Sequence, residues 1–470
     1  MTDPIWRWSA TETAAAIRSG RITCTEAVEA ALGRMGEVNG AVNAVTLDLS
    51  EEARVQAREA DATVRAGTAL GALHGVPVTC KENVDHKGLP NPNGIPAYES
   101  VIAPDHSPVV ANLLKAGAIV IGRTNTPEFS LRWFTDNPLR GRTDNPWNQD
   151  VTPGGSSGGA AASVALGVGA IAHGSDLGGS LRYPAYACGV ATIRPSLGRV
   201  PAYNPSAPEE RPLTLQLMSV QGPIAREVRD VRLALAAMAA PDPRDPWWVP
   251  ASLEGSRLPG PIRVAVTTSP AGVPCHPAVT AAIDAAAGHL SDAGYAVEAV
   301  DPPLVEEIAA AWRTLVFTDT RIASEAAIRE HGSADINRVY DGFKASAPVM
   351  DMEAYIRALA DRTRLLRAWS LFMEDFPLVL APVSQVPPFP QGEDLLGEAR
   401  LVRMLDEQSM LYGVNLLGLP ASAVPTGLHD GVPLGVQIVG RRFREDMCLD
   451  AAQAIEDRVG VLAHRLWEQA

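Results

Sequence analysis

The sequence has few cysteines and no long apolar run. Its 470 residues include five widely separated cysteines without a C-x-x-C pair, at Cys24, Cys80, Cys188, Cys275 and Cys448. This spacing argues against a disulfide framework or a zinc site and fits a reducing compartment. No stretch of 18 residues escapes a charge or a Gly/Pro break, and the N-terminal residues lack the pattern of a signal peptide. We therefore expect a cytoplasmic protein without a membrane-spanning helix.

Positive charge is also in short supply. The chain has 40 Lys and Arg residues against 54 Asp and Glu residues, a formal net charge of −14, and no block of basic residues. A field of this sign repels nucleic acid and anionic membranes, so we expect neither as a partner. The hydrophobic share of 46% is that of a globular protein with a sizeable core.

The N-terminal part of the chain, about residues 1–70, has the pattern of a helical segment. Ser9 with Glu12 and Thr23 with Glu26 form two capping boxes, in which each hydroxyl caps the first amides and each Glu reaches back. We therefore expect helices here, ahead of the first strand.

Strands and helices alternate in the rest of the chain. The apolar runs at 73–81 and 118–122 predict buried strands, and residues 107–116 predict a helix between them. This alternation is typical of an α/β protein. Residues of about 262–375 carry a strand–helix–strand unit of their own, which fits either a smaller lobe or completion of one large sheet.

Residues 152–195 are unusual because Gly, Ser and Ala alternate with buried-type aliphatic residues. We predict a small-residue helix over 158–170 and a glycine loop over 174–180. Glycine loops suit either a phosphate cradle or an oxyanion hole beside a nucleophilic serine. The known phosphate-loop patterns are missing, which disfavours the first alternative.

A nucleophilic serine needs a base. His173 is near in sequence, but it does not lie in a nucleophile-elbow pattern, and a bystander role is the expectation for it. Lys81 ends an apolar run, and a buried lysine can become neutral near pH 7 and act as a base. A solvated lysine at a strand end fits the same pattern, so composition does not decide. No H-E-x-x-H or similar cluster is present, and we expect no metal or cofactor.

At this point the chain resembles the amidase signature family, and the match extends to about residue 440. The resemblance lies in eight segments: Gly75-Val-Pro-Val-x-x-Lys81-Glu-Asn83, Gly122-Arg-Thr-Asn-Thr-Pro-Glu-Phe129, Asn145-Pro-Trp147, Pro153-Gly-Gly-Ser-Ser-Gly-Gly159, Gly174-x-Asp-x-Gly-Gly-Ser-Leu-Arg-x-Pro184-Ala185, Arg194-Pro-Ser-x-Gly-Arg-Val-Pro201, Asn415-x-x-Gly-Leu-Pro420 and Gly431-Val-Pro-Leu-Gly-Val-Gln437. The resemblance implies one domain over 1–470, with a large mixed β-sheet flanked by helices on both faces.

The resemblance also implies a Ser–Ser–Lys triad. Ser180 matches the acyl-forming nucleophile, Ser156 the bridging serine that follows a cis peptide, and Lys81 the base. The difference 180 − 156 = 24 is the family's separation of these two serines. The implied activity is hydrolysis of a carboxylic amide to a carboxylate and ammonia or an amine through an acyl-enzyme.

The resemblance implies further site residues in the glycine loop over 174–180. The backbone amides of Leu177, Gly178, Gly179 and Ser180 are expected to hold the oxyanion. Two further residues that match family positions, Asp176 and Arg182, are expected to support this loop.

Substrate-binding residues are expected after the Asn-x-Pro lead-in, at Ser130, Leu131, Trp133 and Phe134. These side chains favour an apolar or aryl acyl group. The alternative is that the two aromatic residues belong to the core.

Three points stay open. The alternative enzyme is the glutamine-hydrolysing subunit of a tRNA-dependent amidotransferase, which is disfavoured because Tyr183 stands where that branch of the family has Gln. The alternative class of protein is a non-catalytic module that binds anions or carbohydrates, which is disfavoured because the triad is intact. Thr192 replaces a family glycine, and residues 88–94 depart from the family loop. Several members are dimers, so a homodimer is among the expected assemblies.

Overall fold

A computed structural model describes residues 3–469. In that range the strands are β1 (Val45–Asp48), β2 (Pro77–Lys81), β3 (Ile119–Thr124), β4 (Ile171–Asp176), β5 (Ala191–Arg194), β6 (Val220–Ala225), β7 (Arg263–Val266), β8 (Ala296–Ala299), β9 (Leu378–Pro382), β10 (Ala421–His429) and β11 (Val432–Gly440). They form one mixed sheet in the order β1-β3-β2-β4-β6-β5-β10-β11-β9-β7-β8.

Helices connect and cover these strands. Over residues 3–469 the α-helices are α1 (Ala10–Arg18), α2 (Cys24–Val42), α3 (Ser50–Arg65), α4 (Pro108–Lys115), α5 (Gly158–Ala165), α6 (Arg182–Cys188), α7 (Leu213–Met218), α8 (Val228–Met238), α9 (Pro277–Asp292), α10 (Val305–Ala323), α11 (Glu325–His331), α12 (Ala334–Ala345), α13 (Met352–Asp375), α14 (Glu398–Glu407), α15 (Ser409–Leu417), α16 (Glu445–Val459) and α17 (Ala463–Gln469). None of the helices described between residues 3 and 469 is both long and apolar enough to cross a membrane.

The core lies in two layers, one on each face of the sheet. Successive strand residues point to opposite faces. On β3, Ile119 and Ile121 therefore pack with α2 and α5, whereas Val120 belongs to the second layer with α9, α10 and α16. A sheet buried on both faces explains why its strands are apolar runs. The expected large mixed sheet with helices on both faces is confirmed.

The strand pattern differs from the prediction in two regions. Residues 45–48, expected within a helical segment, form β1 because this short run pairs antiparallel with the edge of β3. Residues 174–176, expected in a loop, complete β4, which is held between β2 and β6. The segment of about 262–375 contributes β7 and β8 to one end of the same sheet.

The sheet brings the predicted site residues to one edge. β2 and β4 are parallel neighbours, with Cys80 opposite His173, so their carboxyl ends point the same way: β2 ends at Lys81, and β4 continues two residues further, to Asp176. Ligand sites in α/β sheets commonly lie beyond such carboxyl ends. The loop with Ser156 precedes α5 and the loop with Ser180 precedes α6, so both serines lie at this edge.

Candidate active site

Lys81 lies at the centre of a hydrogen-bonded cluster of hydroxyl groups. It ends β2, and its side chain is fully buried. Its Nζ donates to Ser156 Oγ at 2.7 Å and to Ser175 Oγ at 3.2 Å. The Asn83 amide also donates to Ser175 Oγ at 3.0 Å. The predicted base and the predicted bridging serine are therefore in direct contact.

The charge state of Lys81 follows from its surroundings. Burial lowers the pKa of its ammonium to about 7, against a smaller opposing effect of the Asp176 carboxylate. Near neutral pH, a large fraction of the molecules thus carries an unprotonated amine next to Ser156. A neutral amine can accept a proton, which an ordinary surface lysine does not do at this pH.

The loop that carries Ser156 is packed too tightly for larger residues. The Gly155–Ser156 peptide is cis. A Cβ on Gly155 would collide with the main chain of Arg132–Phe134. Ser156 is 1% exposed, so this loop holds its hydroxyl against Lys81 and away from solvent.

The loop that carries Ser180 is organised by the Asp176 carboxylate. Asp176 Oδ1 accepts from the Gly179 N–H at 2.8 Å, and Oδ2 accepts from the Leu181 N–H at 3.2 Å. In this structure, the Gly179 amide therefore has a partner inside the loop. The amides of Leu177, Gly178 and Ser180 form no hydrogen bond with any residue between 3 and 469, and they remain the candidates for an oxyanion hole.

Asp176 belongs to a buried polar network. Arg182 donates to both carboxylate oxygens at 3.1 Å, and the Asn415 amide donates to Oδ1 at 2.8 Å. Arg182 also donates to Asn415 Oδ1 at 2.7 Å and to Gln437 Oε1 at 2.8 Å. Burial by itself would raise the pKa of Asp176, but Arg182, Arg194 and Asn415 hold it well below its usual range. Asp176 therefore stays ionised and fixes the loop, rather than exchanging protons.

A small cavity of about 50 Å³ opens beside Ser180. Its wall includes three of the four predicted substrate-binding residues, Ser130, Leu131 and Trp133. Its other lining residues come from the Ser180 loop, from α10, α12 and α14, and from the segment 130–133 itself. They are Leu177, Gly178, Trp312, Val316, Phe317, Phe343, Leu405 and Arg132. Phe317 stacks on Phe343 with ring centroids 5.0 Å apart. Arg132 is the charged residue among the described residues that line the cavity. It donates two hydrogen bonds, at 2.7 and 2.9 Å, to the buried Asp394 carboxylate.

Two residues considered from sequence lie elsewhere. Phe134 is 1% exposed and stacks on Phe389, so it belongs to the core and not to the cavity wall. His173 Nε2 lies 2.7 Å from Gln221 Oε1, and burial lowers the pKa of its ring to about 3. The bystander role expected for this histidine matches its contacts.

The atypical loop over residues 88–94 reaches the site through one side chain. Asn93 Oδ1 accepts from Ser130 Oγ at 2.7 Å, and the Asn83 amide donates to the same hydroxyl at 3.2 Å. Ser130 is thus held by Asn83 and Asn93 at the cavity wall. The second departure, Thr192, is buried behind the site, where its hydroxyl donates to the Pro223 carbonyl at 2.6 Å.

Sequence reasoning missed several residues of the site. Ser175, Asn415 and Gln437 lie inside the quoted segments, so their positions were visible but their contacts were not. Trp312 and Phe343 lie on helices without any motif, and no local signal indicated that α10 and α12 close the cavity. In residues 3–469, no group of three or more His, Cys, Asp or Glu side chains is placed to hold a metal ion.

Comparison with known proteins identifies the family of this chain. A sequence model of the family described as Amidase matches residues 26–449. An indoleacetamide hydrolase of Bradyrhizobium diazoefficiens is 53% identical over 99% of this chain and 89% of its own length. An acylamidase of Rhodococcus erythropolis is 31% identical over 97% of this chain and 96% of its own length.

The fold has equally clear counterparts. The structure of a bacterial aryl acylamidase of the amidase signature enzymes superposes with a TM-score of 0.86 at 27% identity, covering 99% of this chain and 98% of the other. The chain is an amidase that hydrolyses small-molecule amides to an acid and an amine or ammonia, and it belongs to the amidase signature family.

Proposed function

We propose that this amidase hydrolyses the primary amide of an arylacetic acid, indoleacetamide first among them, to the carboxylate and ammonia through an acyl-enzyme on Ser180. Two observations support the substrate class. The indoleacetamide hydrolase of Bradyrhizobium is 53% identical over nearly the whole chain. The cavity beside Ser180 is walled by aromatic and aliphatic side chains.

The observation that carries the mechanism is the 2.7 Å contact between Lys81 Nζ and Ser156 Oγ. In the proposed first step, neutral Lys81 takes the Ser156 proton, and Ser156 takes the Ser180 proton as Ser180 Oγ attacks the amide carbon. The carbonyl π electrons move to its oxygen. Proton transfer in this direction requires the unprotonated amine that burial of Lys81 favours.

The proton then returns to the leaving group. As the tetrahedral intermediate collapses, the C–N bond breaks and its nitrogen receives a proton from Ser156, which Lys81 reprotonates. Ammonia leaves, and the acyl group stays on Ser180 Oγ. Water then attacks the ester carbon while Ser156 takes its proton and passes its own to Lys81. The bond from the acyl carbon to Ser180 Oγ breaks, Oγ regains a proton from Ser156, which Lys81 reprotonates, and the acid leaves and ionises to the carboxylate.

The negative oxygen formed in both steps needs hydrogen-bond donors. The amides of Leu177, Gly178 and Ser180, which have no other partner in residues 3–469, are the candidates for this role. Removing one such donor typically costs about 3–4 kcal/mol of transition-state stabilisation.

The acyl group is proposed to lie between Trp133 and the aromatic side chains of α10 and α12. A cavity of about 50 Å³ is smaller than an aryl ring. The proposal therefore includes displacement of wall side chains, such as those of Phe317 and Phe343, when the ring binds.

Glutamine is a poor fit to this cavity. Its α-ammonium and α-carboxylate need charged partners, yet the Arg132 guanidinium is already paired with Asp394 in the interior. Burying an unpaired charge against apolar walls is strongly unfavourable. This favours a stand-alone amidase over the glutamine-hydrolysing component of an amidotransferase.

We further propose that the enzyme works in the cytoplasm, alone or as a homodimer, without nucleic acid or membrane partners. The support is its net charge of −14 and its five buried, free cysteines. Size-exclusion chromatography with light scattering measures the assembly directly.

The test of the proposed function is ammonia release from indoleacetamide, phenylacetamide, acetamide and glutamine. Wild type is compared with Ser180→Ala and with the matched control Ser163→Ala, a buried serine on α5 whose hydroxyl donates to the Ala160 carbonyl. We expect turnover of the two aryl amides by wild type and by the control, and none by Ser180→Ala. Activity that survives Ser180→Ala would refute the mechanism, and turnover of glutamine alone would favour the amidotransferase component.

A further inference from the structure

Every carbonyl oxygen of the loop before Ser180 is tied down by a specific donor. The Asp176 carbonyl accepts from the Asn415 amide at 3.0 Å, and the Gly179 carbonyl accepts from the Tyr183 N–H at 2.7 Å. Between them, the two remaining carbonyls accept from two indole N–H groups. Trp312 Nε1 donates to the Leu177 carbonyl at 3.1 Å, and Trp133 Nε1 donates to the Gly178 carbonyl at 3.0 Å.

The two indole contacts fix the direction of the loop amides. In a planar trans peptide, the C=O and N–H groups point to opposite sides. Holding the Leu177 carbonyl at Trp312 therefore aims the Gly178 N–H away from that indole. Holding the Gly178 carbonyl at Trp133 likewise aims the Gly179 N–H at Asp176, where it is bound at 2.8 Å.

The hydrogen bonds from Trp312 and Trp133, together called the clamp, hold the carbonyls on one face of the loop, so that amides without a partner in residues 3–469 are left on the other face. A loop with free carbonyls could rotate a peptide and present an oxygen to the substrate instead of an N–H. Two glycines make such a rotation inexpensive in conformational terms, because glycine accepts backbone angles that other residues avoid. Gly179 already has a positive φ of 98°.

We propose that Trp133 and Trp312 are positioning residues for the loop before Ser180. Trp312 binds the Leu177 carbonyl and thereby aims the Gly178 amide toward the oxyanion, and Trp133 binds the Gly178 carbonyl and thereby keeps the Gly179 amide on Asp176. This inference rests on the proposed acyl-enzyme mechanism and adds to it the groups that hold the donors in place. Trp312 reaches the loop from α10 and Trp133 from the segment that also packs on Gly155, so the clamp connects both serine loops to the cavity wall.

The packing around the clamp is close. A Cβ on Gly178 would lie 2.9 Å from Trp312 Cζ2, so the indole ring lies directly on the loop. Trp312 also packs on Tyr412 with ring centroids 4.6 Å apart. Because both indoles line the cavity as well, an aryl acyl group would contact the same rings that hold the loop.

The test replaces each indole by a ring without the donor. Trp312→Phe and Trp133→Phe are compared with Trp369→Phe, whose indole also donates to a backbone carbonyl, that of Pro303 at 2.8 Å, and is 2% exposed. Trp369 lies on α13, outside the cavity lining. All three variants lose one indole–carbonyl hydrogen bond of a buried tryptophan, so Trp369→Phe controls for the loss of such a bond outside the site.

We expect kcat for the aryl amides to fall about 10-fold or more in the two clamp variants, since a misaligned oxyanion donor loses part of a contribution of ~10²–10³. Trp369→Phe should keep the wild-type kcat while losing thermal stability. The inflection in the pH profile should stay at its wild-type position in all three variants, because none touches Lys81.

A second variant isolates the N–H itself. Benzothienylalanine at position 312 keeps the size and shape of the indole but replaces its N–H by sulfur, so the wall of the cavity is preserved. We expect the same fall in kcat with little change in KM. Inhibition by an arylboronic acid, whose tetrahedral adduct needs the oxyanion hole, should weaken by a similar factor.

The outcomes separate this inference from the mechanism on which it rests. Wild-type kcat in Trp312→Phe, Trp133→Phe and the benzothienylalanine variant, with Ser180→Ala inactive, would overturn the clamp and leave the mechanism standing. A fall in kcat that appears equally in Trp369→Phe would also overturn it. Activity in Ser180→Ala would instead overturn the mechanism and the clamp together.

Discussion

Activity should rise with pH through neutrality, because Lys81 must lose its proton before it can accept one. Burial lowers the pKa of Lys81 to about 7. A base with this pKa is neutral in about a tenth of the molecules at pH 6 and in about nine tenths at pH 8. A lysine with the ordinary pKa of about 10.4 would be neutral in only ~0.04% of the molecules at pH 7. Burial therefore raises the population of competent base by about 10³-fold.

The assay is the pH dependence of kcat/KM for ammonia release from phenylacetamide, a neutral substrate that does not titrate in this range. We expect a single rise between pH 6 and pH 8 that levels off above it. Lys81→Met should lose about 10²–10⁴-fold in activity and the inflection with it. A wild-type profile that is flat from pH 5 to pH 9, or an inflection that persists in Lys81→Met, would refute the role of Lys81.

The lowered pKa of Lys81 also makes the stability of the folded chain depend on pH. Between pH 7 and pH 10.5 the unfolded chain binds a proton at Lys81 that the folded chain does not bind. The contribution of this group to the free energy of unfolding therefore increases with pH across that window. Urea denaturation at pH 7 and pH 9.5 should show a larger increase for wild type than for Lys81→Met, and equal increases would contradict the lowered pKa.

Three further substitutions test other parts of the site. Ser156→Ala should lower kcat by about 10²–10⁴-fold in the ammonia assay, because it breaks the proton path from Ser180 to Lys81; near-wild-type kcat would place the path elsewhere. Gly178→Ala should lower kcat for every amide, since its methyl group would lie 2.9 Å from Trp312 Cζ2; unchanged kcat would contradict this packing. Phe343→Ala should raise kcat/KM for bulky acyl groups relative to acetamide and cost about 3–5 kcal/mol in denaturant unfolding; an unchanged acyl preference would remove Phe343 from the specificity wall.

Parts of the fold followed from local patterns. The apolar runs predicted β2 and β3, and the helix predicted over 107–116 is α4. The small-residue helix of 158–170 was predicted too long, because Gly167 and Gly169 adopt positive φ after Ala165 and end α5.

Other parts depend on tertiary contacts that no local pattern contains. Gly174, Ser175 and Asp176 have low strand propensity, yet they continue β4 because they pair with Gly222, Gln221 and Val220 of β6. The approach of Trp312 to the Ser180 loop arises in the same way, from the packing of α10 against α15. The contact of Lys81 with Ser156 also joins distant segments, and only the family resemblance indicated it from sequence.

The most direct test of the account is the identity of the residue that carries the acyl group. The enzyme is mixed with p-nitrophenyl phenylacetate, quenched in acid at early times, and digested for peptide mass mapping. We predict a phenylacetyl adduct on Ser180, absent from Ser180→Ala and present at a lower rate in Ser156→Ala. An adduct on another residue, or full turnover of amides by Ser180→Ala, would contradict the central claim.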